Sequence, residues 1–229
     1  MNKLSVGMTK SETVVTWCYL IFQLLLLPVI LVFANVYFHE PFNEAQINFI
    51  FFAINFIVVT TVCHKFLIAS AKRAFAAPFR CVRWVFGGIT IYWLMLIVLG
   101  LFMQNISPEH ENLNDSSIAQ MAQGNFTLIS VGTVLLVPIV EEVFYRGLIF
   151  RPLYNRSPIA AYCVSAVVFS AIHLIGYIGL YSPIALLISF LQYLPAGISL
   201  GLAYTKTDTI FTPILMHMTI NWIGISAMR

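Results

Sequence analysis

The stretch VPIVEEVFYRG, Val137–Gly147, decides the fold, because it places Glu141, Glu142 and Arg146 in an almost unbroken apolar run. Of the 229 residues, 60% are hydrophobic and only 9% are charged, which is typical of a polytopic membrane protein. Segments that cross lipid must satisfy their own backbone hydrogen bonds, so they are predicted to be helices. Ionisable groups in lipid are costly, so both carboxylates are predicted to face the inside of a helix bundle.

Apolar segments recur along the chain at about the 20-residue length that a bilayer core demands. The sequence predicts an all-α polytopic membrane protein with seven transmembrane helices, or eight if another lies in a re-entrant or interfacial piece. Residues 1–229 are interpreted as one domain without a large soluble part, and the first apolar run is too long for a signal peptide. The seven segments are approximately 14–38, 47–69, 84–103, 126–150, 158–177, 181–203 and 207–228.

Basic and acidic loops alternate along the chain, and this alternation predicts the orientation in the membrane. By the positive-inside rule, the N-terminus is cytoplasmic and the acidic loops face outward. The short loops favour a bacterial plasma membrane. The net charge of +3 is not arranged in basic runs, so no nucleic-acid partner is expected. The basic residues in or beside the loops are Lys3, Lys10, Lys65, Lys72, Arg73, Arg80, Arg83, Arg151, Arg156 and Lys206, and the acidic loops carry Glu40, Glu44, Glu109, Glu111 and Asp115.

Helical spacing predicts different environments for the two adjacent glutamates. Glu142 and Arg146 are four residues apart and therefore lie on one helix face. Glu141 points about 100° away from Glu142. The arginine can thus neutralise Glu142 while Glu141 stays free. A carboxylate without a charge partner in a low-dielectric site is suited to general acid or base catalysis.

Two later segments carry further polar pairs at the same four-residue spacing. FSAIH contains Phe169 and His173, and HMTIN contains His217 and Asn221. A single buried histidine is more often part of a network that holds helices together. Polar groups on three separate helices favour a functional site, because a purely structural protein gains little from three of them.

Taken in order, Glu-Glu-x-x-x-Arg, Phe-x-x-x-His and His-x-x-x-Asn on successive membrane helices resemble a known family. It is the CAAX-protease and bacteriocin-processing (Abi) family of intramembrane proteases, and the chain is similar to its type II CAAX prenyl endopeptidases. Each motif is weak alone, but all three in this order are specific. The resemblance covers about residues 126–222, the motif-bearing core, whereas the first three segments are only generally similar.

The resemblance implies hydrolysis of a peptide bond within or beside the bilayer. The substrate would be a peptide or protein at the membrane, such as a bacteriocin leader or a prenylated tail, and lipid would be the surrounding partner. The oligomeric state is left open. A non-proteolytic bacteriocin self-immunity protein of the same fold is the alternative. A proton-coupled transporter is a weaker one, because no inverted repeat is found.

The resemblance also implies a role for each motif residue. Glu141 and His173 would hold and deprotonate a water, and His217 and Asn221 would donate hydrogen bonds to the developing oxyanion. No cofactor is expected, since the His-Glu-x-x-His helix of zinc proteases is absent. Zinc held by one glutamate and two histidines stays an alternative. The supporting residues would be Glu142 and Arg146, which orient the helix, and Phe169, which shapes the pocket.

Two details of the sequence conflict with this interpretation. GISLG, Gly197–Gly201, fits the G-x-S-x-G pattern around Ser199, but it lies in an apolar segment where small residues favour close helix packing. With the boundaries above, Glu141 and His173 do not reach the same depth in the membrane. We expect segment 158–177 to start later, with the site open towards the cytoplasm.

The orientation can be tested by cysteine accessibility in intact cells. We expect a cysteine at Ser107, in the acidic third loop, to react with an impermeant reagent added outside. A cysteine at Ser157, in the basic fourth loop, should not react. Labelling of position 157 but not of position 107 would show that the orientation is reversed.

Overall fold

A computed structural model describes residues 3–39, 41–104 and 112–227, and within these ranges the chain forms helices and turns but no β-strand. The prediction of an all-α polytopic membrane protein is confirmed. A short 3₁₀ turn, Ile175–Tyr177, follows the seventh helix. The helices are α1 Lys10–Leu25, α2 Leu27–Tyr37, α3 Glu44–Val62, α4 His64–Ala76, α5 Pro78–Met103, α6 Leu113–Tyr154, α7 Pro158–Ile172, α8 Pro183–Thr207 and α9 Phe211–Ala227.

The number of membrane-spanning helices is smaller than predicted. Among the described residues, α3, α5, α6 and α8 are long and apolar enough to cross a membrane, and α1 with α2, which are bent by 46°, add a fifth if the pair is one span. By length and composition this gives four or five spans, against the seven or eight predicted. Helices α7 and α9 have 15 and 17 residues, or about 22 and 26 Å, less than a core of about 30 Å. Polar residues shorten them, since α7 ends before His173 and α9 begins after a turn at Asp208.

Helix α6 is the centre of the molecule. It extends beyond the predicted segment at both ends, bends at Asn125, and contains π-helical turns at Gly132–Leu136 and Val143–Phe150. Residues 142–150 are all buried, and α1, α3, α7, α8 and α9 pack around this half of the helix. The charged motif is therefore enclosed by protein, as the cost of exposing ionisable groups to lipid requires.

The length of α6 resolves the mismatch in depth between Glu141 and His173. Glu141 precedes the last residue of α6, Tyr154, by 13 positions, and His173 follows the first residue of α7, Pro158, by 15 positions. Because α6 and α7 are joined by a short turn, nearly equal distances from that turn place the two side chains at one level. The expectation that segment 158–177 starts later was wrong, because α7 begins at Pro158. Instead, α6 ends at Tyr154, beyond the predicted end at residue 150.

Side-chain caps fix where several helices begin. Thr9 and Glu12 form a capping box at α1, Asn43 and Gln46 form one at α3, and Ser157 caps α7. Glu12 also accepts a hydrogen bond from the backbone nitrogen of Phe66 at 2.9 Å, which ties α1 to the first turn of α4. Polar residues in an apolar chain are thus used to start helices and to join them.

The G-x-S-x-G pattern marks close helix packing and not a nucleophile. Ser199 is fully buried, and its hydroxyl donates to the backbone oxygen of Pro195 at 2.7 Å inside α8. A Cβ built on Gly197 would lie 2.8 Å from Cα of Ala166 in α7. A Cβ on Gly201 would lie 3.0 Å from the ring of Phe150. Small residues therefore allow α8 to approach α6 and α7.

We expect Gly197→Ala to destabilise the protein, because a methyl group there collides with backbone and the helices must separate. The expected loss is about 1–3 kcal/mol, the usual cost of overpacking. Gly100→Ala is the matched control, since no atom lies within 4 Å of a Cβ at that helical glycine. It should be neutral or stabilise by up to about 1 kcal/mol. Denaturant unfolding in detergent measures both. Equal stabilities of the two variants would contradict the packing.

Candidate active site

Three side chains from different parts of the fold converge on an internal cavity of about 600 Å³. Glu141 lies in the middle of α6, His173 follows the last residue of α7, and His217 lies in α9. Glu141 Oε2 is 3.8 Å from His173 Nε2 and 3.9 Å from His217 Nε2. All three line the cavity, and at most 18% of each side chain is exposed. The structure thus brings together residues that the motifs predicted to share a site.

In both imidazole rings Nε2 is the nitrogen that faces Glu141. His173 Nδ1 lies 2.7 Å from the backbone oxygen of Phe169, and His217 Nδ1 lies 2.9 Å from Oε1 of Glu142. Because each Nδ1 faces an oxygen acceptor, a neutral ring would carry its proton on Nδ1 and leave Nε2 unprotonated. Three acceptor atoms therefore face one another, and a proton donor or a cation between them would satisfy all three.

Glu142 is fully buried behind the cavity and holds two partners. Its Oε2 is 3.2 Å from Nε of Arg146, as the four-residue spacing predicted, although the contact lacks hydrogen-bond geometry. Its Oε1 accepts the hydrogen bond from His217, which the sequence did not reveal. Glu142 therefore does more than pair with the arginine, because it also fixes which nitrogen of His217 faces Glu141.

Phe169 separates the buried arginine from the cavity. Cζ of Arg146 lies 4.8 Å from the centroid of the Phe169 ring, and Nη2 donates to the backbone oxygen of Gly197 at 3.3 Å. The same ring lies 4.6 Å from the His173 ring, centroid to centroid, and lines the cavity. The Phe169 ring therefore lies between the Arg146 guanidinium and the cavity.

Asn221 lines the cavity next to the first π-helical turn of α6. Its Nδ2 donates to the backbone oxygen of Thr133 at 2.8 Å. An amide nitrogen carries a second hydrogen, so Asn221 can still donate once more. His217 differs, because its Nε2 accepts in the neutral ring and donates only when the ring is protonated. Of the two predicted oxyanion donors, Asn221 is placed as a donor and His217 as an acceptor.

The cavity reaches the surface at the acidic ends of the helices. Its lining includes exposed residues of the first turns of α3 and α6, Glu44 and Asp115. In the predicted orientation this end of the bundle faces outward, which differs from the expected opening towards the cytoplasm, and the orientation itself stays a prediction. The other acidic loop residues, Glu40, Glu109 and Glu111, lie outside the described residues.

A polar group at the cavity mouth was missed by sequence reasoning. The ring of Tyr193 in α8 stacks on His173, with 4.2 Å between centroids and 23° between planes. Its hydroxyl donates to Asp115 Oδ1 at 3.0 Å and accepts from Nδ2 of Asn114 at 2.9 Å. The available signal was Gln192 beside Tyr193, two polar residues inside an apolar segment.

The fold and the site define a class, that of polytopic helical membrane proteins with a carboxylate–imidazole site in an internal cavity. The motif residues of this site lie in the part of the chain that resembles the CAAX-protease and bacteriocin-processing family of membrane endopeptidases. Residues 123–223 match the family described as type II CAAX prenyl endopeptidase Rce1-like. This range contains every motif residue of the site.

A curated relative points to the same family. The chain is 27% identical over 145 residues to the "Putative membrane peptidase YdiL" of Bacillus subtilis (strain 168). The aligned region covers 58% of this chain and 54% of the relative, so the chain spans about half of that protein's length. No solved structure matches the chain.

We expect Glu142→Gln to destabilise the fold, because it leaves the Arg146 guanidinium buried without its counter-charge. Breaking one side of a buried ion pair typically costs about 3–5 kcal/mol. Denaturant unfolding in detergent measures the loss. The double variant Glu142→Gln/Arg146→Met is the control and should lose less, since neither charge remains. Wild-type stability of Glu142→Gln alone would contradict the structural role.

Proposed function

We propose that this protein is an intramembrane endopeptidase that hydrolyses a peptide bond of a membrane-associated peptide. The substrate would be of the bacteriocin-leader or prenylated-tail type. The observation that carries the proposal is the convergence of Glu141 Oε2 with the Nε2 atoms of His173 and His217 in a shared cavity. The match of residues 123–223 to the Rce1-like endopeptidase family and the similarity to a putative membrane peptidase support the same reaction.

The three acceptor atoms can hold and activate a water. A water about 2.8 Å from both Glu141 Oε2 and His173 Nε2 can donate one hydrogen to each, because these atoms are 3.8 Å apart. As the water oxygen attacks the peptide carbonyl, one of its protons passes to Glu141 or His173. That proton is then delivered to the departing amine, so the acid and base roles alternate on the same groups.

The negative charge that develops on the carbonyl oxygen needs donors on the opposite side. Asn221 would offer its second amide hydrogen from the cavity wall. His217 would donate only after taking up a proton, because protonation makes its Nε2 a donor while Nδ1 stays bonded to the Glu142 carboxylate. Removal of a single oxyanion donor typically costs about 10²–10³ in kcat. Glu142, Arg146 and Phe169 would act by supporting these groups and not by touching the substrate.

The distances favour water over zinc at the centre of the site. Tetrahedral zinc with ligands at about 2.0–2.1 Å brings the ligand atoms to about 3.4 Å from one another. The separations of 3.8 and 3.9 Å are wider and suit hydrogen bonds to a shared water. Among the described residues, no group of three histidine, cysteine or acidic side chains meets the geometry of a metal site. We therefore propose a reaction without a metal or another cofactor.

The cavity and its surroundings suggest how a substrate arrives. Apolar side chains of α1, α2 and α5 are exposed along the bundle, as lipid contact requires. A peptide at the membrane would enter from the end that carries Glu44 and Asp115. With the cytoplasmic N-terminus that the loop charges predict, this is the outer side of a cell membrane. The partners would be the peptide and the surrounding lipid, without nucleic acid.

We expect Glu141→Gln to lower peptide cleavage by about two orders of magnitude or more, because the general base is lost. Its unfolding should match that of the wild type, since Glu141 faces the cavity and neutralises no buried cation. Purified variants in detergent, incubated with candidate peptides and analysed by mass spectrometry, provide the measurement. Asn48→Ala, a change to a cavity-lining residue of α3 that belongs to no motif, serves as the control for perturbation of the cavity lining.

Two outcomes would contradict this assignment. If Glu141→Gln cleaves at the wild-type rate while a stable Glu142→Gln does not, the roles of the two glutamates are reversed. If the wild type and both variants behave alike towards every peptide offered and the protein still protects cells from a bacteriocin, the self-immunity alternative stands in place of proteolysis.

We expect cleavage to survive removal of metal ions, because the proposed water is activated by Glu141 and His173. Dialysis against a strong chelator, followed by metal analysis and the same peptide assay, measures this. Loss of activity on chelation and recovery with one equivalent of zinc would instead make Glu141, His173 and His217 zinc ligands.

A further inference from the structure

His173 lies at the end of α7, so its place in the helix does not by itself fix the orientation of its ring. Helix α7 ends at Ile172, so His173 stands at the helix end, where the backbone is turning away. One hydrogen bond, from Nδ1 to the backbone oxygen of Phe169, fixes the direction of the ring. A single bond leaves rotation about its own axis, and such rotation would move Nε2 away from Glu141.

The ring is held from a second direction by Tyr193. The His173 imidazole lies between the rings of Phe169 and Tyr193, at centroid distances of 4.6 and 4.2 Å. The Tyr193 contact is the flatter one, at 23° between planes against 50° for Phe169. Offset stacking of this kind sets the plane of the ring that it covers.

The hydroxyl group of Tyr193 is itself held by two hydrogen bonds. Its hydroxyl donates to Asp115 and accepts from Asn114, both in the first turn of α6. Asn112, which caps that turn, donates to the neighbouring Gln192 at 2.9 Å. The start of α6 and the middle of α8 are therefore joined by three side-chain hydrogen bonds directly above the stacked histidine.

We propose that Tyr193 is a positioning residue, which aligns the His173 imidazole with Glu141 and is itself held by Asp115 and Asn114. This inference rests on the proposed function, because the alignment matters for cleavage only if His173 handles the water. In catalytic sites a displacement of about 1 Å can cost about 10² in rate, so loss of the stacked ring should appear in kcat. Substrate binding elsewhere in the cavity should change little.

The geometry can be tested without any cleavage. In protein labelled with ¹⁵N at histidine, the ring signals of His173 are identified by their loss in His173→Gln. We expect Tyr193→Leu to shift them, because the ring current and the restraint both disappear, and Tyr193→Phe to shift them much less. Tyr181→Leu is the matched control, since this tyrosine lies on the same side but contacts Tyr177 and does not line the cavity.

Kinetics separate positioning from general structure. Tyr193→Leu should lower kcat about tenfold or more with KM nearly unchanged, and Tyr193→Phe should lower it less. Asp115→Ala should lower kcat by about as much as Tyr193→Phe does. It should cause no further loss of kcat in the Tyr193→Phe background, because both changes act through one hydroxyl. Unchanged His173 signals in Tyr193→Leu, or multiplying effects of Asp115→Ala and Tyr193→Phe, would overturn the proposal. A wild type that cleaves no peptide would refute the proposed function alone, since the ring signals still decide the positioning.

Discussion

The site depends on the burial of one carboxylate with two partners. Glu142 has no exposed surface, and a lone charge in that position would be too costly to keep. Arg146 supplies the opposite charge one turn away, and His217 supplies a hydrogen bond from another helix. Because the same carboxylate serves both, the packing of α6 against α9 and the orientation of the histidine are fixed by a single residue.

That arrangement explains why two carboxylates stand side by side. Neighbouring residues on a helix point about 100° apart, so one can serve the packing while the other faces the cavity. The ring of Phe169 covers the Arg146 guanidinium, whose Cζ lies 4.8 Å from the ring centroid. Glu141 instead faces the Nε2 atoms of His173 and His217.

The sequence predicted the fold class and the motif residues of the site, because membrane helices impose periodicity and make every buried charge conspicuous. It did not predict the bond between His217 and Glu142 or the stacking of Tyr193 on His173, since both join helices whose relative rotation follows from packing. It predicted seven or eight spans, whereas four or five of the described segments are long and apolar enough to cross a membrane. Apolar character alone does not reveal that α7 and α9 stop short, because their ends are set by His173 and by the turn at Asp208.

The motif residues and the residues that line the cavity nearer the surface come from different parts of the chain. The motif residues lie in α6, α7 and α9 and in the turn that follows α7, deep in the bundle. The wall nearer the surface is built largely by α3, α5 and the start of α6, through Glu44, Tyr92, Trp93 and Asp115. These segments lie outside residues 123–223, the range that the family model matches. The match therefore bears on the motif residues and not on what the cavity admits, because the side chains nearer the surface belong to the unmatched part of the chain.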